Sequence, residues 1–144
     1  GVLYVSDPRS NTIHRLEAGK AEAWLQSPEI VRPNGLHVAG GLLVVAANGD
    51  RCLKTVDLAT KEVTPVATLT LGIIDGVESD GDGGYLVSIN EGRLVRVTPA
   101  GEVTTLLDTT ATRSSIADFD YIPEKKLVVF PTFLSNRVVA YTLE

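Results

Sequence analysis

Two short openings in the sequence, Arg32-Pro33-Asn34-Gly35-Leu36 and Ile73-Ile74-Asp75-Gly76-Val77, carry the residue types best suited to chemistry. Asn34 and Asp75 are 41 residues apart. An amide and a carboxylate set side by side would offer the oxygen donors that a hard cation such as Ca²⁺ takes. Asn-Gly and Asp-Gly are also turn formers that precede strands, so these dipeptides alone leave both readings open. A polar set falls in the neighbouring loops, with Asp7, Arg32, Asn48 and Asn90 as candidates for a small neutral or sugar-like ligand. Polar loops are equally what any solvated surface shows.

The elements that must position these residues are visible as a repeat. Leu3-Tyr4-Val5-Ser6, Leu43-Val44-Val45-Ala46, Tyr85-Leu86-Val87-Ser88 and Leu127-Val128-Val129-Phe130 are equivalent apolar strands, with second residues at 4, 44, 86 and 128, intervals of 40, 42 and 42. That period belongs to the blades of a β-propeller. A second strand follows each, and a third follows three of them across Ala18-Gly19-Lys20, Ala59-Thr60-Lys61 and Pro99-Ala100-Gly101, whose composition suits tight hairpins. A further strand, opening on Asn34, Asp75 or Ala117-Asp118, precedes the last three apolar strands. With that strand innermost the chain reads BCD, ABCD, ABCD, ABC, an all-β partial propeller of four-stranded antiparallel blades. The blade segments fall at about 1–26, 33–68, 74–108 and 116–144 of a single domain. On this reading the chain begins and ends partway through a repeat, and its open sheet faces call for cover, which a homodimer would supply.

Asp118 admits two alignments. Counting back nine residues from the following strand places it with Asn34, whereas matching Leu36, Val77 and Phe119 places Ala117 there. We favour the second, which makes Asp118 a neighbour of the site or a hydrogen-bond acceptor at the strand start. His37 stands three residues after Asn34, so strict alternation sends it to the opposite face, and no Ser or Cys lies in a nucleophile motif around it. His37 and His14 read as packing or inter-blade hydrogen-bonding residues, and Trp24 and Phe119 as core.

Bulk properties exclude other classes. A net charge of −5 with no Lys/Arg cluster argues against a nucleic-acid surface. No apolar run approaches the roughly 18 residues that would span a bilayer. The single Cys52 permits no internal disulfide and no zinc cluster, and reads as a small packed residue.

The Pro33-Asn34-Gly35-Leu36 and Asp75-Gly76 openings, Leu3-Tyr4-Val5-Ser6-Asp7 and the closing Asn136-Arg137-Val138-Val139-Ala140-Tyr141 resemble the C-terminal half of the gluconolactonase, senescence-marker-protein and luciferin-regenerating-enzyme family, related to NHL-repeat and strictosidine-synthase-like propellers. The resemblance implies a six-bladed ring, of which this chain is half to two-thirds, and a divalent cation near the channel mouth, Ca²⁺ first and Zn²⁺ or Mg²⁺ next. The family holds it with a Glu from an early blade, an Asn from an Asn-Gly opening and an Asp from an Asp-Gly opening. Asn34 and Asp75 match the last two, and the Glu-bearing blade has no counterpart in this sequence. By the same resemblance Asp75 would also be the general base of lactone or ester hydrolysis. The alternative is a non-catalytic propeller segment that binds a ligand or protein, or assembles with itself.

Overall fold

Apolar runs at a period near 42 residues, broken by Gly-, Pro- and Asp-containing turns, favour strands that return on themselves by hairpins. The computed structural model, which describes residues 1–70, 72–133 and 135–143, has this form. Glu144, the last residue of the fourth expected segment, lies outside the described residues. The first sheet is β1 (Val2–Asp7), β2 (Thr12–Glu17) and β3 (Lys20–Gln26). The second is β4 (Pro33–Ala39), β5 (Leu42–Ala47), β6 (Cys52–Asp57) and β7 (Val63–Thr68). The third is β8 (Ile74–Ser79), β9 (Tyr85–Ile89), β10 (Arg93–Val97) and β11 (Val103–Asp108). The fourth is β12 (Asp120–Ile122), β13 (Leu127–Thr132) and β14 (Arg137–Thr142).

Every sheet is an antiparallel meander in chain order. The described residues thus form sheets of three, four, four and three strands, a partial β-propeller. The only helical elements among them are single 3₁₀ turns at Thr110–Thr112 and Pro123–Lys125, so none is long and apolar enough to cross a membrane.

The hairpin between β4 and β5 has two loop residues, Gly40 and Gly41, at φ +57° and +83°. A two-residue turn that matches the strand twist needs positive φ at both positions, which glycine adopts without strain. The turn between β8 and β9 is closed instead by Asp80, whose carboxylate accepts the N–H groups of Asp82 (2.8 Å) and Gly84 (2.7 Å) and the Arg96 Nε–H (2.6 Å).

Three apolar layers lie between successive sheets. Leu43 and Val45 of β5 pack with Ile13, Trp24 and Tyr4 of the first sheet, while Val44 and Ala46 pack with Val87 and Val95 of the third. Leu86 and Leu94 meet Phe119, Val128 and Phe130 of the fourth. A strand buried on both faces must be apolar at successive positions, which explains the unbroken Leu42-Leu43-Val44-Val45-Ala46-Ala47 run. Cys52 is buried at the start of β6, and burial pushes its thiol pKa up.

The outer faces are different. Tyr4 points into the first interface, so its neighbours Leu3 and Val5 point away from it, and they are 61% and 53% exposed. Their repeat equivalents Leu43 and Val45 are 0% exposed. On the last sheet Val138 is 71% exposed.

Candidate functional site

The inner strands approach each other too closely for side chains on the contacting residues. A β-carbon on Gly35 would collide with the Asp75 carbonyl oxygen and stand 3.0 Å from the Gly76 Cα and the Val77 nitrogen. One on Gly76 would collide with the Asp118 carboxylate and stand 3.0 Å from Phe119 Cδ1 and 3.1 Å from the Asp118 Cα. Gly35 therefore abuts Gly76, and Gly76 abuts Asp118. In that series Asp118 follows Gly76, and Ala117 follows Asp75.

Both glycines sit in breaks of the ladder. The β4–β5 register shifts between Pro33 and Leu36, and the β8–β9 register shifts between Ile74 and Val77. An extra residue in a strand turns the following side chains to the other face. The Asn34 amide nitrogen consequently donates to Asp75 Oδ1 (2.9 Å) and the Ile74 carbonyl (3.2 Å), and His37 Nδ1 lies 2.8 Å from Glu78 Oε2. Asn34 and His37 thus both reach β8. Strict alternation from Asn34 sends His37 to the opposite face, and the bulge at Gly35 is the reason it faces β8 instead.

Asp75 is half-buried, and burial pushes its carboxyl pKa up, with the Asp118 charge adding to the effect. Hydrogen bonds from Asn34 and Asn90 pull the other way. Since the Asn34 nitrogen is committed to β8, its Oδ1 is the atom it offers outward. Asn34 Oδ1 and the carboxylates of Asp75 and Asp118 are donors suited to a hard cation. Among the described residues no three His, Cys, Asp or Glu side chains are grouped to hold a metal ion.

The structure brings Asn34, Asp75, Asn90 and Asp118 together. Asn90 is fixed by its backbone, its N–H donating to the Ile73 carbonyl (2.8 Å) and its carbonyl accepting from Ile116 (3.2 Å). Asp118 Oδ1 also accepts the Phe119 N–H at 3.0 Å, a local bond that competes with ladder pairing, and β12 accordingly begins at Asp120, later than the expected Ala117. Asp7 is not part of this group. Its carboxylate closes its own turn by accepting from Arg9 N–H (2.9 Å) and Ser10 Oγ–H (2.7 Å), bonds that hold its pKa below the usual range. Arg32 and Asn48 meet through their backbones: the Arg32 carbonyl accepts the Asn48 N–H at 3.0 Å, and the Arg32 N–H donates to Asn11 Oδ1 at 2.8 Å.

Two residues of this region were not singled out from the sequence. Glu78 is the carboxylate facing His37. Ser88 is fully buried and accepts the Gly76 N–H at 2.8 Å. The available signal for Ser88 was a hydroxyl inside the otherwise apolar Leu86-Val87-Ser88-Ile89 strand.

Glu78 supplies a pH test. Burial raises its pKa above the ordinary 4.5, His37 opposes that, and Asp120 and Asp118 reinforce it. The folded state thus holds this proton more tightly than the unfolded one, so the associated stability is present below the ordinary value and is lost as pH rises through the folded one. Glu78→Gln is expected to flatten the decline in urea midpoint as pH rises above 4.5. An unchanged profile would contradict this assignment.

No protein-family model matches the chain, and no curated protein matches it in sequence. Solved structures do match in fold. A catalytically inactive H270A virginiamycin B lyase from Staphylococcus aureus, with quinupristin, has a TM-score of 0.75 at 13% identity, covering 99% of this chain and 52% of that one. A chain of the nidogen/laminin complex has a TM-score of 0.74 at 15% identity over 96% of this chain and 55% of that one. A gluconolactonase from Xanthomonas campestris has 0.73 at 16% identity over 92% and 44%. A luciferin-regenerating enzyme is also among the matches. The chain spans about half the length of the solved structures it matches. At these identities the likeness establishes the propeller fold.

Proposed function

We propose that the inner-strand site binds a divalent cation, Ca²⁺ first, and serves hydrolysis of a lactone or related ester. The observation that carries this reading is the Asn34–Asp75 pair at 2.9 Å, joined across two inner strands with a second carboxylate, Asp118, bearing on the half-buried Asp75. A carboxylate held out of water beside another is stabilised by a cation more than by any neutral partner. Asn34 Oδ1 and Asp75 are the ligands this chain would give. They fall short of the six to eight oxygens Ca²⁺ takes, so water or further chain must complete the shell. The cation, when bound, would polarise the ester carbonyl. Asp75, with its proton affinity raised by burial, suits a base that accepts a proton from the attacking water, while Asn34 and Asn90 hold its orientation. The gluconolactonase fold match supports this choice of chemistry. Calorimetry with Ca²⁺, and Zn²⁺ and Mg²⁺ for comparison, tests it. Wild type should bind and Asp75→Ala should lose affinity at least about tenfold, the scale of removing a ligand or its support. Equal binding by both, or by neither, sinks the proposal.

A second reading is supported by Leu3 and Val5, exposed where Leu43 and Val45 are fully covered. The chain would act as a self-assembling, non-catalytic module, a second copy laying the outer face of its last sheet, with Val138, on the first sheet of its partner. Light scattering at micromolar concentration should report a dimer that Leu3→Arg dissociates. A well-behaved wild-type monomer excludes it.

A further inference from the structure

We propose that Ser88 is a positioning residue for this site: it bolts down the strand bulge that presents Asp75, so that the carboxylate stays on the inner face beside Asn34. The inference deepens the cation-binding reading and rests on it.

The ladder between β8 and β9 breaks between Ile74 and Val77, so Asp75 and Gly76 stand outside the regular register. A bulge residue loses its ladder partner, and a buried N–H without an acceptor is strongly unfavourable. The Gly76 N–H finds its acceptor in Ser88 Oγ, 2.8 Å away on β9, from a side chain that is 0% exposed. A hydroxyl thus replaces the missing ladder carbonyl.

The second sheet contains the matching bulge without the matching bolt. Val45 faces Leu36 across β4–β5 as Val87 faces Val77 across β8–β9, so the next residues, Ala46 and Ser88, are equivalent. Ala46 has no hydroxyl to offer. The difference follows the charge each bulge carries. Asn34 is neutral and is held by the two bonds its amide donates to β8. Asp75 is an acid half out of water with Asp118 nearby, a place it would leave for solvent if the backbone allowed.

Gly76 makes such movement easy. Its missing β-carbon permits the close approach of Asp118 and Phe119, and the same lack of a side chain leaves its backbone the least restrained of any residue. The residue that lets the inner strands meet is therefore the one that most needs an external tether. Ser88 provides it from the neighbouring strand, bonding the residue next to Asp75 and not Asp75 itself.

Three variants separate this role from general support of the fold. In Ser88→Ala, Ca²⁺ affinity measured by calorimetry should fall about tenfold, as for loss of a group that orients a metal ligand. The Asn34 side-chain amide resonances, which report its bond to Asp75, should move toward those of a free amide. Ser88→Thr keeps the hydroxyl and should restore both. Val95→Ala, a core change in the same sheet, should lower the urea midpoint and leave both readings at wild-type values. If Ser88→Ala does not fold, the same readings are taken on Ser88→Cys, whose thiol is a poorer acceptor. The inference is overturned if the Asn34 resonances stay at wild-type positions on loss of the hydroxyl, or if Val95→Ala moves them equally. A wild type that binds no Ca²⁺ while Ser88→Ala still shifts those resonances would overturn the cation reading and leave the positioning role standing.

Discussion

Gly35→Ala is expected to destabilise the protein by about 3 kcal/mol, the upper part of the range for forcing a methyl into a filled interior. The reason is the identity of the obstructing atoms. The new β-carbon would meet the Asp75 carbonyl oxygen, the Gly76 Cα and the Val77 nitrogen, all backbone, none of which can swing aside. Relief would require moving β4 away from β8, which would also part Asn34 from Asp75. Stability and cation binding should therefore fall together. Gly83→Ala is the comparison, since a β-carbon there meets nothing within 4 Å and the penalty is only that of holding Ala at φ +86°. Urea unfolding decides the matter. A loss at Gly35 no larger than that at Gly83 would mean the inner strands are not in contact as described.

Phe130→Ala is expected to cost about 4 kcal/mol, within the range for emptying a fully buried aromatic site. Phe130 is 0% exposed, packs with Leu86, Leu94, Phe119 and Val128, and stacks on Tyr141 with ring centroids 5.7 Å apart and planes at 8°. The outer member of this layer, the fourth sheet, has three strands, so few surrounding groups can close over the cavity. Asp118 and Phe119 are held against Gly76 by the same layer. The urea midpoint should fall accordingly, and a loss under about 1.5 kcal/mol would show that this layer is not closed.

The strand order was legible because the chain repeats its own pattern. Alternation and hairpin turns marked each meander, but Leu3-Tyr4-Val5 and Leu43-Val44-Val45 read alike in the sequence although only the second is buried on both faces. Cys52, Trp24 and Phe119 are buried, as their types and positions suggested. The bulges were not legible. Nothing in Pro33-Asn34-Gly35-Leu36 distinguishes a turn ahead of a strand from an extra residue within one, yet that single residue decides whether His37 faces Glu78 or the opposite layer. The partner of Asn34 could be suspected from the 41-residue spacing. The hydroxyl behind Gly76 could not, because Ser88 becomes informative only when compared with Ala46 across a register that the sequence does not display. The late start of β12 was hidden for a similar reason: the bond from the Phe119 N–H to its neighbour Asp118 is a local choice, made against the β-tendency of the surrounding residues.

Among the described residues each sheet is a meander whose strands pair only with their sequence neighbours. Hairpins close over short loops, so the pairing within a sheet requires little chain entropy to be lost before it is rewarded, whereas the layers between sheets join residues about one repeat apart. Folding can therefore begin in any sheet and spread to the next, in the manner of a one-dimensional array. The second and third sheets, each flanked on both sides, gain two layers apiece, and the outer two gain one. Asn34 and Asp75, carried by the middle two, therefore stand on sheets held by an apolar layer on each face.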